Sequence, residues 1–289
     1  MGKLIRAITQ DGAVAAYALD SKDMVQKIVD IHRTSAVVTA ALGRLLSGAS
    51  IMGSMLKGEH DSITLRISGG GPAGILLAVA DSNGNARGYV ENPVVEIPLN
   101  EKGKLDVGGA VGRQGVLRVL KDLNLREPYV GNTPIVSGEI AEDIARYLAS
   151  SEQIPSVCAL GVLVDTDLSV KAAGGFILQL LPAADEGIIT RLEENIKKIP
   201  SVTTMLDAGN SPEDLLHRAL EGFEVEFLDE RTAAYTCDCS RERVENALHS
   251  MRNEELEAMI AEDGGAEVRC HFCGKTYSFD VEALRNLMH

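Results

Sequence analysis

Tryptophan is absent from these 289 residues, and aromatics of all kinds make up only 4%. Any core must therefore be aliphatic, and at 45% hydrophobic residues there is enough material to build one. Basic charge is also short: 28 Lys and Arg face 42 Asp and Glu, a formal net charge of −14. A nucleic-acid binder needs a basic footprint, so that class is excluded. No uninterrupted apolar run of about 18 residues occurs, so no membrane span is expected. No apolar signal segment follows Met1-Gly2-Lys3. These absences point to a cytoplasmic chain, where thiols stay reduced. Cysteine is scarce too, five in all, yet four of them sit in two tight pairs near the end.

Those pairs are Cys237-Asp238-Cys239 and Cys270-His271-Phe272-Cys273, separated by the 30 residues Ser240 to Arg269. Close thiolate pairs brought together by a fold build a tetrahedral four-sulfur site for zinc. The second pair has ordinary C-x-x-C spacing; the first, C-x-C, is one residue shorter than the usual half-site. His271 is not needed as a ligand, because four thiolates complete the tetrahedron. A zinc site of this kind is either a permanent staple or a redox switch, since thiolates are what oxidants attack.

Upstream the pattern is that of a scaffold. Two apolar runs, 3–9 and 13–19, flank Gln10-Asp11-Gly12 and predict a hairpin. Helical spacing from Met24 to Leu56, interrupted by glycines, predicts two close-packed helices with Ser21 as the first cap. Residues 63–68 alternate as a strand. The following Gly69-Gly70-Gly71-Pro72-Ala73-Gly74 matches G-x-G-x-x-G formally, but the Asn83-Gly84 turn and the strand at Gly88-Tyr89-Val90 predict an antiparallel meander, not a dinucleotide site. Further strands are expected at 117–122, 157–164 and 171–180, and a helix capped by Ser137. His32 and the lone Cys158 are assigned structural roles.

After Pro182 the composition shifts. Residues 183–230 hold twelve acids against four Lys and Arg. Apolar residues at helical spacing, Asp185, and Ser211-Pro212 as cap and N1 predict short amphipathic helices. Short helices are marginal in water and must lean on other structure. The segment is either an ordinary helical subdomain or a part poised to unfold. In the terminal module, Ser240, Asn253 and Asp280 are predicted caps, and Val268–Phe279 a hairpin with the second cysteine pair at its tip. The expected fold is α+β. An N-terminal core of mixed or antiparallel sheet with packed helices occupies 1–180, an acidic helical linker 181–231, and a small four-cysteine zinc domain 232–289.

The order of these features resembles the bacterial redox-regulated heat-shock chaperone family of about thirty-three kilodaltons. The resemblance rests on Cys237-Asp238-Cys239-Ser240 with Cys270-His271-Phe272-Cys273, Gly69-Gly70-Gly71-Pro72, Ser137-Gly138-Glu139, Ser151-Glu152-Gln153-Ile154-Pro155, and Gly174-Gly175-Phe176 with Gln179-Leu180. It implies an ATP-independent holdase, not an enzyme. One zinc would be held by Cys237, Cys239, Cys270 and Cys273 in the reduced, inactive form. Peroxide or hypochlorous acid would give Cys237–Cys239 and Cys270–Cys273 disulfides, with loss of zinc and unfolding of the module and then the linker. Unfolded or oxidatively damaged client proteins are the implied partners, and the active form is implied to be a homodimer, with no nucleic acid and no membrane. Two other functions fit the cysteines alone: a thiol–disulfide oxidoreductase using Cys270 and Cys273, and a constitutive zinc-ribbon adaptor.

Overall fold

The computed structural model describes residues 1–288. They divide into two compact units, Met1–Tyr235 and the residues from Thr236 on. In the first, β1 (Gly2–Thr9) and β2 (Val14–Asp20) form the predicted hairpin, with Gly12 at φ +67° where a side chain would be strained. Then come α1 (Lys22–His32), α2 (Ala36–Ser54), β3 (Ser62–Ser68), β4 (Ile75–Asp81), β5 (Ala86–Val90), α3 (Val107–Val111), β6 (Val116–Asp122), β7 (Tyr129–Pro134), α4 (Ala141–Ser150), β8 (Ser156–Val164) and β9 (Val170–Leu180). The acidic stretch contributes α5 (Glu186–Lys198), α6 (Val202–Asp207), α7 (Pro212–Ala219) and β10 (Val225–Ala233).

The strands form two sheets, ordered β10-β1-β2-β9-β8 and β5-β4-β3-β6-β7. Every neighbouring pair is antiparallel, so the glycine-rich turn after β3 joins a meander. The layer between the sheets is α2, which packs on β3, β4 and β5 of one and β8 and β9 of the other. It is long and apolar enough to cross a membrane, but 89% of its most apolar window is buried inside the protein, as in a core helix. Its glycines permit that burial: a Cβ on Gly53 would stand 2.4 Å from the Asp81 carbonyl oxygen.

The first sheet is apolar on both faces. Leu4, Leu19, Ala173 and Ile177 face the α2 layer. Ile5, Ala7, Ala16, Ala18, Phe176 and Leu178 face a second cluster with Leu192, Val202, Met205, Leu215, Leu216 and Leu220 from the acidic helices. The helices α5, α6 and α7 therefore lean on the open side of a sheet. Their predicted caps are present: Asp185 accepts from the Ile188 N–H at 2.9 Å, and Ser211 accepts from the Asp214 N–H at 3.2 Å while Asp214 returns the bond.

In this unit three local expectations need correction. The helical pattern of 183–230 ends at Ala219; Val225–Ala233 is a strand, paired along its length with β1. Ser137 does not cap α4. The buried Asp143 carboxylate accepts from the backbone N–H groups of Val136 (2.7 Å), Ser137 (3.2 Å) and Ile140 (3.0 Å), and the helix begins after Ile140 at φ +72°. Ser21 flanks α1, but its hydroxyl pairs with Ser47 at 2.7 Å instead of capping the helix. His32 bonds the Gly88 carbonyl at 3.1 Å, a structural role.

The second unit holds α8 (Arg241–His249), α9 (Asn253–Asp263), β11 (Gly265–Arg269), β12 (Thr276–Asp280) and α10 (Val281–Asn286). Ser240 caps α8 and Asp280 caps α10; Arg252, not Asn253, stands before α9. Its core centres on Leu248, Leu256, Tyr277, Phe279 and Leu284. So small an apolar centre places the unit among those that usually need a staple.

Candidate metal centre

The hairpin β11–β12 pairs Gly265 with Asp280 through to Arg269 with Thr276, leaving 270–275 as its tip. There the Cys270 N–H donates to the Lys275 carbonyl and the Gly274 N–H to the Cys270 carbonyl, both at 2.9 Å. Gly274 takes φ +72°, which lets the knuckle turn back so that Cys270 and Cys273 face one side. The other pair lies just before α8. Ser240 accepts from the Arg243 N–H at 3.1 Å, and Arg243 is ion-paired with Asp238 between the two cysteines.

The fold brings Cys237, Cys239, Cys270 and Cys273 together with all four sulfurs within 4.8 Å of one another. The Cys237–Cys270 sulfurs are 3.7 Å apart and the Cys239–Cys273 sulfurs 3.3 Å. Zinc–sulfur bonds of about 2.3 Å in a tetrahedron set sulfurs roughly 3.8 Å apart, so this donor set fits a zinc-sized ion. All four residues are half-buried. His271 takes no place in the cluster.

One side chain missed in the sequence belongs to the site. Tyr277, from β12, donates its hydroxyl to the Cys239 sulfur at 3.2 Å. Burial pushes the Cys239 thiol up, but the hydrogen bond from Tyr277, and then contacts with Cys273, outweigh it and bring the thiol down to about 7. Burial pushes Cys237 up to about 12, and it also raises Cys273. Tyr277, by donating to Cys239, is itself pushed up to about 12. Cys239 thus ionises readily, while Cys237 and Cys273 resist the charge. Four thiolates here call for a cation.

The remaining cysteine is elsewhere. Cys158 lies in β8 of the first unit, where burial pushes its thiol up, as for a structural cysteine.

Comparison with known proteins bears directly on this centre. The family model described as Hsp33 protein matches residues 2–280. The chain belongs to the Hsp33 family. It is 49% identical over 284 residues to the 33 kDa chaperonin of Agathobacter rectalis, covering 98% of both chains. It is 48% identical over 285 residues to that of Clostridioides difficile, covering 99% of this chain and 98% of the relative. The crystal structure of the 33 kDa chaperonin, or heat shock protein 33 homolog, of Thermotoga maritima superposes with a TM-score of 0.92 at 42% identity, covering 99% of this chain and 97% of that one. This Hsp33 chain is accordingly a molecular chaperone. Its redox regulation follows from that membership together with the four-cysteine cluster.

Proposed function

We propose that this chaperone is an ATP-independent holdase controlled by one zinc ion per chain, held by Cys237, Cys239, Cys270 and Cys273 in the reduced, inactive form. The observation that carries the proposal is the convergence of the four sulfurs within 4.8 Å in a unit with a small core. Zinc, when bound, would keep the sulfurs as thiolates and staple the unit; structural zinc contributes roughly 10–16 kcal/mol in finger peptides. That exceeds or matches the roughly 5–15 kcal/mol by which a whole domain is stable.

Oxidation acts on the chain's own sulfurs. Cys237 and Cys239 lose two electrons to one peroxide molecule and form a disulfide, the peroxide being reduced to water or hydroxide. Cys270 and Cys273 do the same with a second. With hypochlorous acid the reduced products are chloride and water. Both disulfides consume ligands, so the staple is lost and the terminal module unfolds. The linker of 181–231 then lets go. What it covers, Ile5, Ala16, Phe176 and Leu178 among others, is an apolar sheet face of the kind an unfolding protein would bind, and the freed linker adds to it. We assign no catalytic residue, place the protein in the cytoplasm, and take its active form as a homodimer holding unfolded or oxidatively damaged clients.

The test is suppression of aggregation of a thermally unfolding client. Peroxide-treated protein protects, and the reduced zinc form does not. Equal protection in both states defeats the switch. Peptide mapping checks the pairing: disulfides joining Cys237 to Cys270, or Cys239 to Cys273, contradict it.

A further inference from the structure

The eight methionines are spread unevenly over the two units. In the first, Met24, Met52 and Met205 are buried, Met55 is half-buried on the large core around α2, and Met1 is exposed. The other three, Met251, Met259 and Met288, belong to the second unit. Each is half-buried and packs against the small core of Leu248, Leu256, Tyr277, Phe279 and Leu284. Their backbones fix them there. The Met251 N–H donates to the Leu248 carbonyl at 3.0 Å, just past α8, and the Met288 N–H to the Arg285 carbonyl at 3.3 Å. Met259 follows the buried Leu256 by one turn of α9, so the two share a helix face.

A thioether in such a position is within reach of a strong two-electron oxidant. Its sulfur lone pair takes the chlorine of hypochlorous acid, and water then displaces chloride. The products are the sulfoxide, chloride and a proton: sulfur gives up two electrons and chlorine accepts them. No thiol is consumed. Mild peroxide is a much weaker donor to thioethers and leaves most of them intact. The product matters because methionine is a soft apolar filler and its sulfoxide is polar. In the second unit, three of the ten partly buried residues packed on five buried ones would change character together. So small a core has little stability to lose.

We infer that Met251, Met259 and Met288 are sulfoxidation sites that keep the terminal module from closing again after its thiols have been restored. The inference rests on the zinc-controlled function proposed above and concerns its reversal. A dithiol reduces disulfides, but sulfoxides need their own reductases, one for each epimer. Zinc binding and folding of a small metal-stapled unit are one equilibrium, so a weakened core lowers zinc affinity by the same factor. Hypochlorous acid therefore leaves a mark that mild peroxide does not. A chain that has met it stays open until its sulfoxides, too, are reduced.

The experiment takes full-length protein to its disulfide form with mild peroxide, which shields the cysteine sulfurs, and divides it. One half then receives hypochlorous acid. Both are returned to five free thiols with a dithiol and titrated with zinc against a chromogenic chelator. The peroxide half recovers its full zinc affinity. The other carries sulfoxide at 251, 259 and 288 by peptide mass mapping and binds zinc more weakly by on the order of tenfold or more, the cost of burying an unpartnered polar group. Treatment with both sulfoxide reductases restores it. Met251→Leu, Met259→Leu and Met288→Leu together, a nearly volume-conserving change, give equal zinc affinity in both halves. Met259→Gln, a polar stand-in that needs no oxidant, lowers zinc affinity severalfold with all five thiols free. Equal affinity in the two halves of the unsubstituted protein, with sulfoxide mapped at the three positions, overturns the inference. So does weak binding that persists in the triple leucine variant, or hypochlorous acid that oxidises Met1 while sparing these three. A reduced, untreated protein that binds no zinc removes the zinc-controlled function itself.

Discussion

Replacing Leu216 with alanine tests whether the acidic helices are a releasable cover. Leu216 lies in α7 with no exposed surface, packed in the cluster between that helix and the first sheet. Truncating a buried leucine costs about 2–5 kcal/mol, through lost burial and the cavity left behind. The cost falls on whichever structure holds the side chain in place, here the docking of short helices with little stability of their own. At about 1.4 kcal/mol per tenfold, the undocked population rises roughly thirtyfold to a few thousandfold. Two measurements on reduced, zinc-loaded protein read the effect. Hydrogen exchange across 186–220 accelerates while that of β3, β4 and β6 does not. Aggregation of a thermally unfolding client is suppressed without any oxidant. Faster exchange across the linker with no gain in protection would refute the reasoning, because an undocked linker would then be insufficient for activity.

Three further outcomes are expected. Tyr277→Phe keeps the ring in the module's core but removes the donor to Cys239; zinc affinity, read by competition with a chromogenic chelator, falls about 10- to 100-fold, the usual cost of losing a group that orients a ligand. Gly53→Ala forces a Cβ to within 2.4 Å of the Asp81 carbonyl, backbone that cannot turn aside, and lowers the melting temperature of the first unit at unchanged zinc content. At the start of α7, the Ser211 backbone N–H and then its hydroxyl hold the Asp214 carboxyl below its ordinary 3.8. A depressed folded-state value means the cap contributes fully above 3.8 and is lost as pH falls through the lower folded value. Amide exchange at the start of α7 should therefore rise, relative to the intrinsic rate, as pH falls through that acidic window, and Asp214→Asn should remove this contribution, leaving that of Glu213, whose carboxyl is also held down.

Much of this architecture was legible because short-range chemistry decided it. Asp185, Ser211-Pro212, Ser240 and Asp280 mark helix starts through bonds made within three residues. The Asp11-Gly12 turn and the strand alternation of 63–68 are equally local. What escaped was decided at long range. Residues 225–233 are acidic and follow a helix, and only pairing with β1, more than 200 residues earlier in the chain, makes them a strand. Asp143 outcompeted Ser137 because burial lets one carboxylate collect three backbone N–H groups, which no capping pattern expresses. In the metal centre the cysteine spacing announced the four sulfurs. Tyr277 gave no comparable signal: a tyrosine four residues past Cys273 becomes a partner of Cys239 only once β12 folds back on β11.

The same distinction separates the candidate ion site from the face it is proposed to control. Cysteine spacing points to the donor set, while the apolar face beneath α5–α7 emerges only when the first sheet is assembled from strands at both ends of the unit. Coupling between the two is the central claim. Zinc content and free thiols counted on the same sample, before and after mild peroxide, with client protection followed alongside, test it most directly. The account predicts one zinc and five free thiols falling to no zinc and a single thiol, Cys158, as protection appears. Protection that appears while zinc and all five thiols remain would contradict it.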